Sequence, residues 1–299
     1  MLYYQAFGLT VCCDVVLPSF RVISKPSSAD IHIIIEANAY INTTSLKRPY
    51  NDLILLDIAN IAHFKIIQGR EIRLVTDNRV DAQMLGLFLC STVFALLLLQ
   101  RGFLILHASA VIINHRALIF LGDSGVGKST LALGFHQQGY EVAADDLCAI
   151  GFDSRNQARV YPAQTHFKIW REAALKLGKN TRELKAVRGD IDKYFIDNDS
   201  STNHPLEIQM LMLLKPDDTT HSRLESMTAF EKLSALNEHA FRHELYHELN
   251  HLQMHFKHCE NLLKQTSLMC LKRPNSGFNL TSLMQFIFAN NLHMEDNLC

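Results

Sequence analysis

The chain lacks an excess of either charge: 29 Lys and Arg stand against 30 Asp and Glu, leaving a net charge of −1. So weak a field does not draw a protein to nucleic acid or anionic lipid, and no nucleic-acid partner is expected. Metal-type cysteine pairs are missing too. The seven cysteines, an odd number, form no Cys-x-x-Cys motif, which argues against a disulfide framework. Met1-Leu2-Tyr3-Tyr4-Gln5 has no basic region followed by an apolar run, so the sequence predicts a reduced, cytoplasmic protein. There is no internal repeat and no low-complexity segment. What is present, 48% hydrophobic and 20% charged residues over 299 positions, is the balance of a globular protein with one large or two modest cores.

Long apolar runs are also scarce. One stands out, Met84 to Leu99, nearly all apolar and uncharged. At about 16 residues it falls short of the roughly 20 that a spanning helix needs. Arg79, Asp81 and Arg101 flank it closely. It is expected to be a buried core helix, and no membrane partner is read from it.

Residues 1–80 read as a small β-rich module. Ile31-His32-Ile33-Ile34-Ile35, Leu53-Ile54-Leu55-Leu56 and Ile72-Arg73-Leu74-Val75 are runs of strand length separated by breakers,. No catalytic constellation lies among them, and recruitment of a substrate is the role assigned. Residues 81–299 form the second unit. There, Leu104 to Ile113 and Arg116 to Leu121 are strand-like runs separated by a turn at Asn114-His115,. A glycine-rich loop follows, then a helix from Thr130 ended by Gly139, then a strand ending on Asp145-Asp146. Strand, loop, helix, strand is an α/β pattern. Farther on, Ile169 to Leu177 reads as helix, Ile208 to Leu214 as strand, and residues 229–266 as one or two helices.

The loop is Gly122-Asp123-Ser124-Gly125-Val126-Gly127-Lys128-Ser129, with Thr130 behind it. It fits G-x-x-x-x-G-K-[ST] without a mismatch. Glycines let the backbone curl so that successive N–H groups face phosphate oxygens, and the next helix offers them its positive end. Lys128 is placed for the β- and γ-phosphates, and Ser129 for Mg²⁺. A preceding strand and following helix are the context such a loop requires, so ATP and Mg²⁺ are the expected cofactors. Asp145 and Asp146 fall at the carboxyl end of the next strand, where ligands of open α/β sheets sit. Two adjacent carboxylates allow one to accept a proton while the other serves the metal. His107 lies in an apolar run that could pair with the strand entering the loop, and so be carried to the same place.

Together, His107, the loop 122–129 and Ala144-Asp145-Asp146 resemble the catalytic domain of HPr kinase/phosphorylase in residue type, order and spacing. The likeness is greater still to HPr-kinase-related proteins, some associated with peptide natural-product biosynthesis. Leu99-Gln100-Arg101-Gly102 running into Leu106-His107-Ala108-Ser109-Ala110-Val111 looks like theirs, as does Tyr4-x-x-Phe7-Gly8-Leu9-Thr10 with Leu17-Pro18 after it. The resemblance implies a P-loop core shared with phosphoenolpyruvate carboxykinase. It implies Asp145 as general base, completed by Asp146 and His107, and an ATP-dependent kinase acting on a hydroxyl, a serine of a peptide or protein. It is compatible with a homo-oligomer. The family's second signature, Glu-x-Arg-Gly-x-Gly, is lacking, and Val187-Arg188-Gly189-Asp190 is only a fragment of it. The likeness therefore extends neither to the reverse phosphorylase reaction nor to HPr as acceptor.

Phosphoryl transfer calls for further cations near the transferred group, and Arg188 and Lys193 are the candidates. Two other readings compete. One is a nucleotide-binding sensor without transfer, which Asp145→Asn would separate from a kinase. The other is a zinc hydrolase: His239, His243, His247, His251 and His255 recur every fourth residue, with His258 after them. His243-Glu244-Leu245-Tyr246-His247 and His247-Glu248-Leu249-Asn250-His251 both satisfy H-E-x-x-H,. Apolar Phe241, Leu245, Leu249, Leu252 and Phe256 at helical spacing favour a helix packed on a core, with histidines on its polar side.

Overall fold

Period-two runs at the N-terminus form strands whose alternate residues point into one core. In the computed structural model all residues are described except 37–46, 51, 77–79, 164–165, 189–190, 199–201, 243–251, 276–278 and 296–299. The first eight strands make one sheet, ordered Arg21–Val22, Leu2–Ala6, Leu9–Cys13, Ile31–Ile35, Glu71–Thr76, Ala62–Ile67, Leu53–Ile58, Lys47–Tyr50. Three of these strands are those the hydrophobic runs predict. Those runs do not predict the opening hairpin. It turns at Phe7-Gly8, with φ of 55° and 72°, the left-handed pair that a tight two-residue hairpin needs.

The apolar stretch spans Ala82–Phe88, one π turn at Leu89–Val93, and Phe94–Gln100. Asp81 caps it, accepting from the N–H groups of Gln83 and Met84,. It is long and apolar enough to cross a membrane by length and composition, and 72% of its most apolar window is buried inside the protein. Phe94 packs on Phe7 and Phe20 at centroid distances of 5.5 and 4.8 Å. Leu89, Val93 and Leu97 share one core with Tyr4, Phe64 and Ile72. This helical run thus packs with the N-terminal sheet.

The second sheet has nine strands. Its main path runs Val142–Ala144, Ser109–Ile113, Arg116–Leu121, Leu206–Asp217, Ala158–Tyr161, Cys148–Phe152, Leu104–Leu106. Leu206–Asp217 is long enough to have two partners on its far side. Its start pairs with Ala158–Tyr161, and its remainder runs parallel to Ser267–Pro274, which also pairs with Arg223–Ser226. The run expected as one strand over 104–113 is two. Leu104–Leu106 joins Cys148–Phe152, whereas Ser109–Ile113 joins Arg116–Leu121 through Asn114-His115, whose φ values are 48° and 62°. His107 therefore sits in a break between strands rather than within one.

The helix after the loop is Lys128–Gln137, with Gly139 at φ 90° ending it as expected,. The helix expected from Ile169 begins instead at Arg171. Ile169 and Trp170 close the strand His166–Trp170, which pairs with Ile191–Asp197, itself paired with Ala186–Arg188. This third, three-stranded sheet stands over the carboxylate pair. The segment 229–266 gives the helices Ala229–Glu238 and Leu252–Gln265.

Candidate functional site

Strand direction explains why distant residues meet. Arg116–Leu121 and Val142–Ala144 both run antiparallel to Ser109–Ile113, with Phe120 opposite Ser109 and Ala144 opposite Ala110. Their carboxyl ends therefore reach the edge where Ser109–Ile113 begins. Gly122, Asp145 and His107 all leave the sheet at that edge. Leu206–Asp217 and Ser267–Pro274 run parallel to Arg116–Leu121 and bring Arg273 to the same place. One cavity of about 440 Å³ is lined by Ser124 to Thr130, His107, Asp145 and Asp146, together with Lys168, Trp170, Lys193 and Arg273.

The loop's geometry rests on its glycines. Gly122, Gly125 and Gly127 have φ of 143°, 83° and 106°, a region that only glycine enters without strain. A Cβ on Gly122 would stand 2.9 Å from the Leu214 carbonyl oxygen, whereas Gly125 and Gly127 face open space. Gly127 precedes the first helical residue and supplies no side-chain cap, so the first N–H groups of the helix remain for another acceptor. Val126 is buried and anchors the loop in the core. Asp123, Ser124 and Gly125 are exposed. Lys128, itself buried, folds back and donates to the carbonyls of Gly122 and Asp123 at 2.7 and 3.1 Å. Burial lowers its pKa, opposed by the charges of Asp145, Asp146 and Asp123.

The two aspartates have opposite surroundings. Asp145 is 2% exposed. It accepts from Ser109 Oγ at 2.7 Å, from the backbone N–H of Lys168 at 3.3 Å, and from the Ser129 hydroxyl. Desolvation outweighs those bonds and raises its pKa,. Asp146 is about a third exposed, and its Oδ1 lies 3.1 Å from Nδ1 of His107. The same nitrogen is 3.2 Å from the Asp146 carbonyl oxygen. That carbonyl can only accept, so Nδ1 carries the proton and donates. Lys168 Nζ adds a charge at 3.6 Å. Burial alone would raise the Asp146 carboxyl, but the His107 hydrogen bond and the Lys168 charge prevail and hold it well below the usual range. Its φ of 74° turns the chain sharply between the two carboxylates, a conformation that aspartate tolerates better than most residues.

All the residues expected from the sequence at the loop, the aspartate pair and His107 line this cavity or adjoin it. Lys193 is there as well, with Nζ 4.6 Å above the Trp170 ring. The Arg188 side chain lies outside the described ones. Three groups escaped the sequence reading. Lys168 touches both aspartates. Arg273 donates to the Val126 carbonyl at 2.8 Å and so braces the loop. Ser109 fixes Asp145. The alternation His166, Lys168, Trp170 was a usable signal for Lys168, and Arg273 stands at the end of a strand running toward the same edge.

Both H-E-x-x-H matches, at 243–251, lie outside the described residues. The ladder does not begin on a continuous helix, for Ala229–Glu238 ends at a cap on His239, and Ala240 bridges to Leu106 instead. His239 is buried, and its carbonyl accepts from the backbone N–H of His107 at 2.7 Å. His255 is buried beside Cys259, and His258 stacks on Phe152 at 4.8 Å. Among the described residues no group of three or more His, Cys, Asp or Glu is arranged to hold a metal.

No protein-family model matches the chain, and no curated protein matches it. Among solved structures it is similar to an Hpr(Ser) kinase/phosphatase from Coxiella burnetii, with 14% identity and a TM-score of 0.35 over 64% of this chain and 98% of that one. The likeness is distant.

Proposed function

We propose that the protein is a kinase that transfers the γ-phosphoryl group of ATP to a hydroxyl, a serine of a peptide or protein, in the cytoplasm. The observation that carries this reading is the convergence, at one sheet edge, of a glycine cradle with its lysine and two aspartates in different environments. The cradle fits a polyphosphate: three left-handed glycines, an uncapped helix start and Lys128 surround one space,. The Ser129 hydroxyl at the cavity wall fits Mg²⁺, an oxygen donor of the type this ion takes, with phosphates and water completing its shell,. Bound ATP and Mg²⁺ would supply the phosphoryl group and neutralise charge developing on it.

This chain's residues would do the rest. Asp145, its pKa raised by burial, is the stronger base of the pair and takes the acceptor's proton,. Asp146 stays ionised and keeps His107 and Lys168 in place. Lys128, Lys168, Lys193 and Arg273 line the same cavity and would offset the negative charge of a bound polyphosphate,. A peptide or protein acceptor fits an open cleft flanked by a separate three-stranded sheet, and a peptide natural-product precursor is within this class.

The test is transfer from γ-labelled ATP to candidate serine peptides, comparing the wild type with Asp145→Asn. Loss of a general base should cut turnover by roughly 10²- to 10⁴-fold, while ATP binding stays within a few-fold. An asparagine variant that phosphorylates at the wild-type rate removes Asp145 from the role. ATP binding with no transfer to any acceptor would favour a nucleotide sensor.

A further inference from the structure

A second cavity, of about 600 Å³, shares no lining residue with the first. That volume suits a small organic molecule, for which sites run from roughly 300 to 1,000 Å³. It opens between the helix Leu252–Gln265 and the far ends of the strands Leu104–Leu106 and Cys148–Phe152. Its wall is aromatic: Phe152 stacks on His258 at 4.8 Å and Phe103 meets Tyr161 edge-on at 5.1 Å. The rim is cationic. Lys264 is neutralised by Glu260 at 2.6 Å, which leaves Arg101 and Lys257 as the net charge. Arg101 is steadied by a 2.8 Å bond to the Gly69 carbonyl, and a guanidinium with five donors has others for an anion.

We propose that this cavity binds a small aromatic anion, its ring against Phe103, Phe152, Tyr161 and His258, its charge at Arg101 and Lys257. The site is also connected to the first. Leu104–Leu106 and Cys148–Phe152 pair directly, Leu106 opposite Cys148 and Leu104 opposite Ile150. At one end of that pair stand Phe103 and Phe152, and at the other His107 and Asp146. The separation is four to six residues, about 13 to 20 Å along the strands. A ligand that shifts the first end acts on the hydrogen bond at the second, and so tunes transfer, an effect that rests on the kinase reading.

The probe is 1-anilinonaphthalene-8-sulfonate, an aromatic sulfonate, titrated by fluorescence into the full chain. One saturable site is expected. Lys257→Glu, an exposed position, should weaken it at least tenfold with an unchanged circular dichroism spectrum. N-phenyl-1-naphthylamine, which lacks the sulfonate, should also bind at least tenfold more weakly. Equal affinity in the variant overturns the site. The His107 imidazole resonance, assigned with His107→Gln, should move when the probe saturates, and an unmoved resonance overturns the coupling. Neither readout needs catalysis, so failure here is distinct from failure of the kinase reading.

Discussion

Single residues divide the labour at the loop edge, and substitutions can separate them. Lys168 binds Asp145 through its backbone N–H and Asp146 through its ammonium. Lys168→Ala keeps the first interaction and removes the second, so Asp145 should stay in place while a charge is lost from the cavity proposed to hold the phosphoryl group. Turnover should fall roughly 10²-fold, the scale of one electrostatic donor, with ATP affinity nearly unchanged and Lys168→Arg partly restoring the rate. Unchanged turnover in the alanine variant would show Lys168 to be a bystander. Asp146 makes a prediction with a sign. Its folded pKa lies below the unfolded value of 3.8, so its ionised form stabilises the fold above that pH, and the contribution is lost as pH falls. Asp146→Asn should therefore cost stability at pH 7, by roughly 1 kcal/mol once partial exposure is discounted. Urea unfolding at pH 7, 5 and 3 checks this, because the gap to wild type must shrink only below about pH 4.

At the scale of elements, close packing and propensity disagree, and the packing prediction can be tested. Gly86 lies inside the helix Ala82–Phe88, where alanine would be preferred by about 1 kcal/mol. A Cβ there runs into the Val16 carbonyl oxygen and comes within 2.8 Å of the Pro18 ring. Backbone cannot yield as a flexible side chain can, and overpacking costs roughly 1–3 kcal/mol. Gly86→Ala should destabilise the protein in urea, and a stabilised variant would show the helix free to move away. The same competition explains what the sequence made legible. The loop 122–129 was readable because its φ demands fix residue types, and Ile31–Ile35 because β-branched runs of that length have few alternatives. The break at His107 was not, because an apolar run does not reveal that its halves pair with different strands. Lys168 was hidden for a related reason: it reaches the site only because His166–Trp170 forms a strand of a separate sheet, a long-range pairing with no local signature. Ile169 in turn read as helical because the residues after it are.

Taken as a whole, the molecule shares one core between the N-terminal sheet and the rest. Tyr4, Phe64 and Ile72 from residues 1–80 cluster with Phe94 and Leu97 of the apolar helix, and the same cluster takes in Ile105, Leu147 and Ala149 of the second sheet. Removing residues 1–80 would expose much of the helix face formed by Leu89, Val93, Phe94 and Leu97. Each such side chain gains about 1.5–3 kcal/mol on burial, so the loss approaches the entire stability of an ordinary domain, about 5–15 kcal/mol. The fragment 81–299 should therefore be aggregated or loosely packed, although it contains every residue of the loop site. The full chain should unfold in one transition, because this shared cluster ties the N-terminal sheet to the apolar helix and the second sheet. Trp170, the single tryptophan, stands on the three-stranded sheet, far in sequence from residues 1–80. Its fluorescence and the far-ultraviolet dichroism should lose native signal at the same urea concentration. A soluble fragment 81–299 that binds ATP as the full chain does would reduce the N-terminal sheet to an appendage, and the shared core would not then be what holds the site's scaffold together.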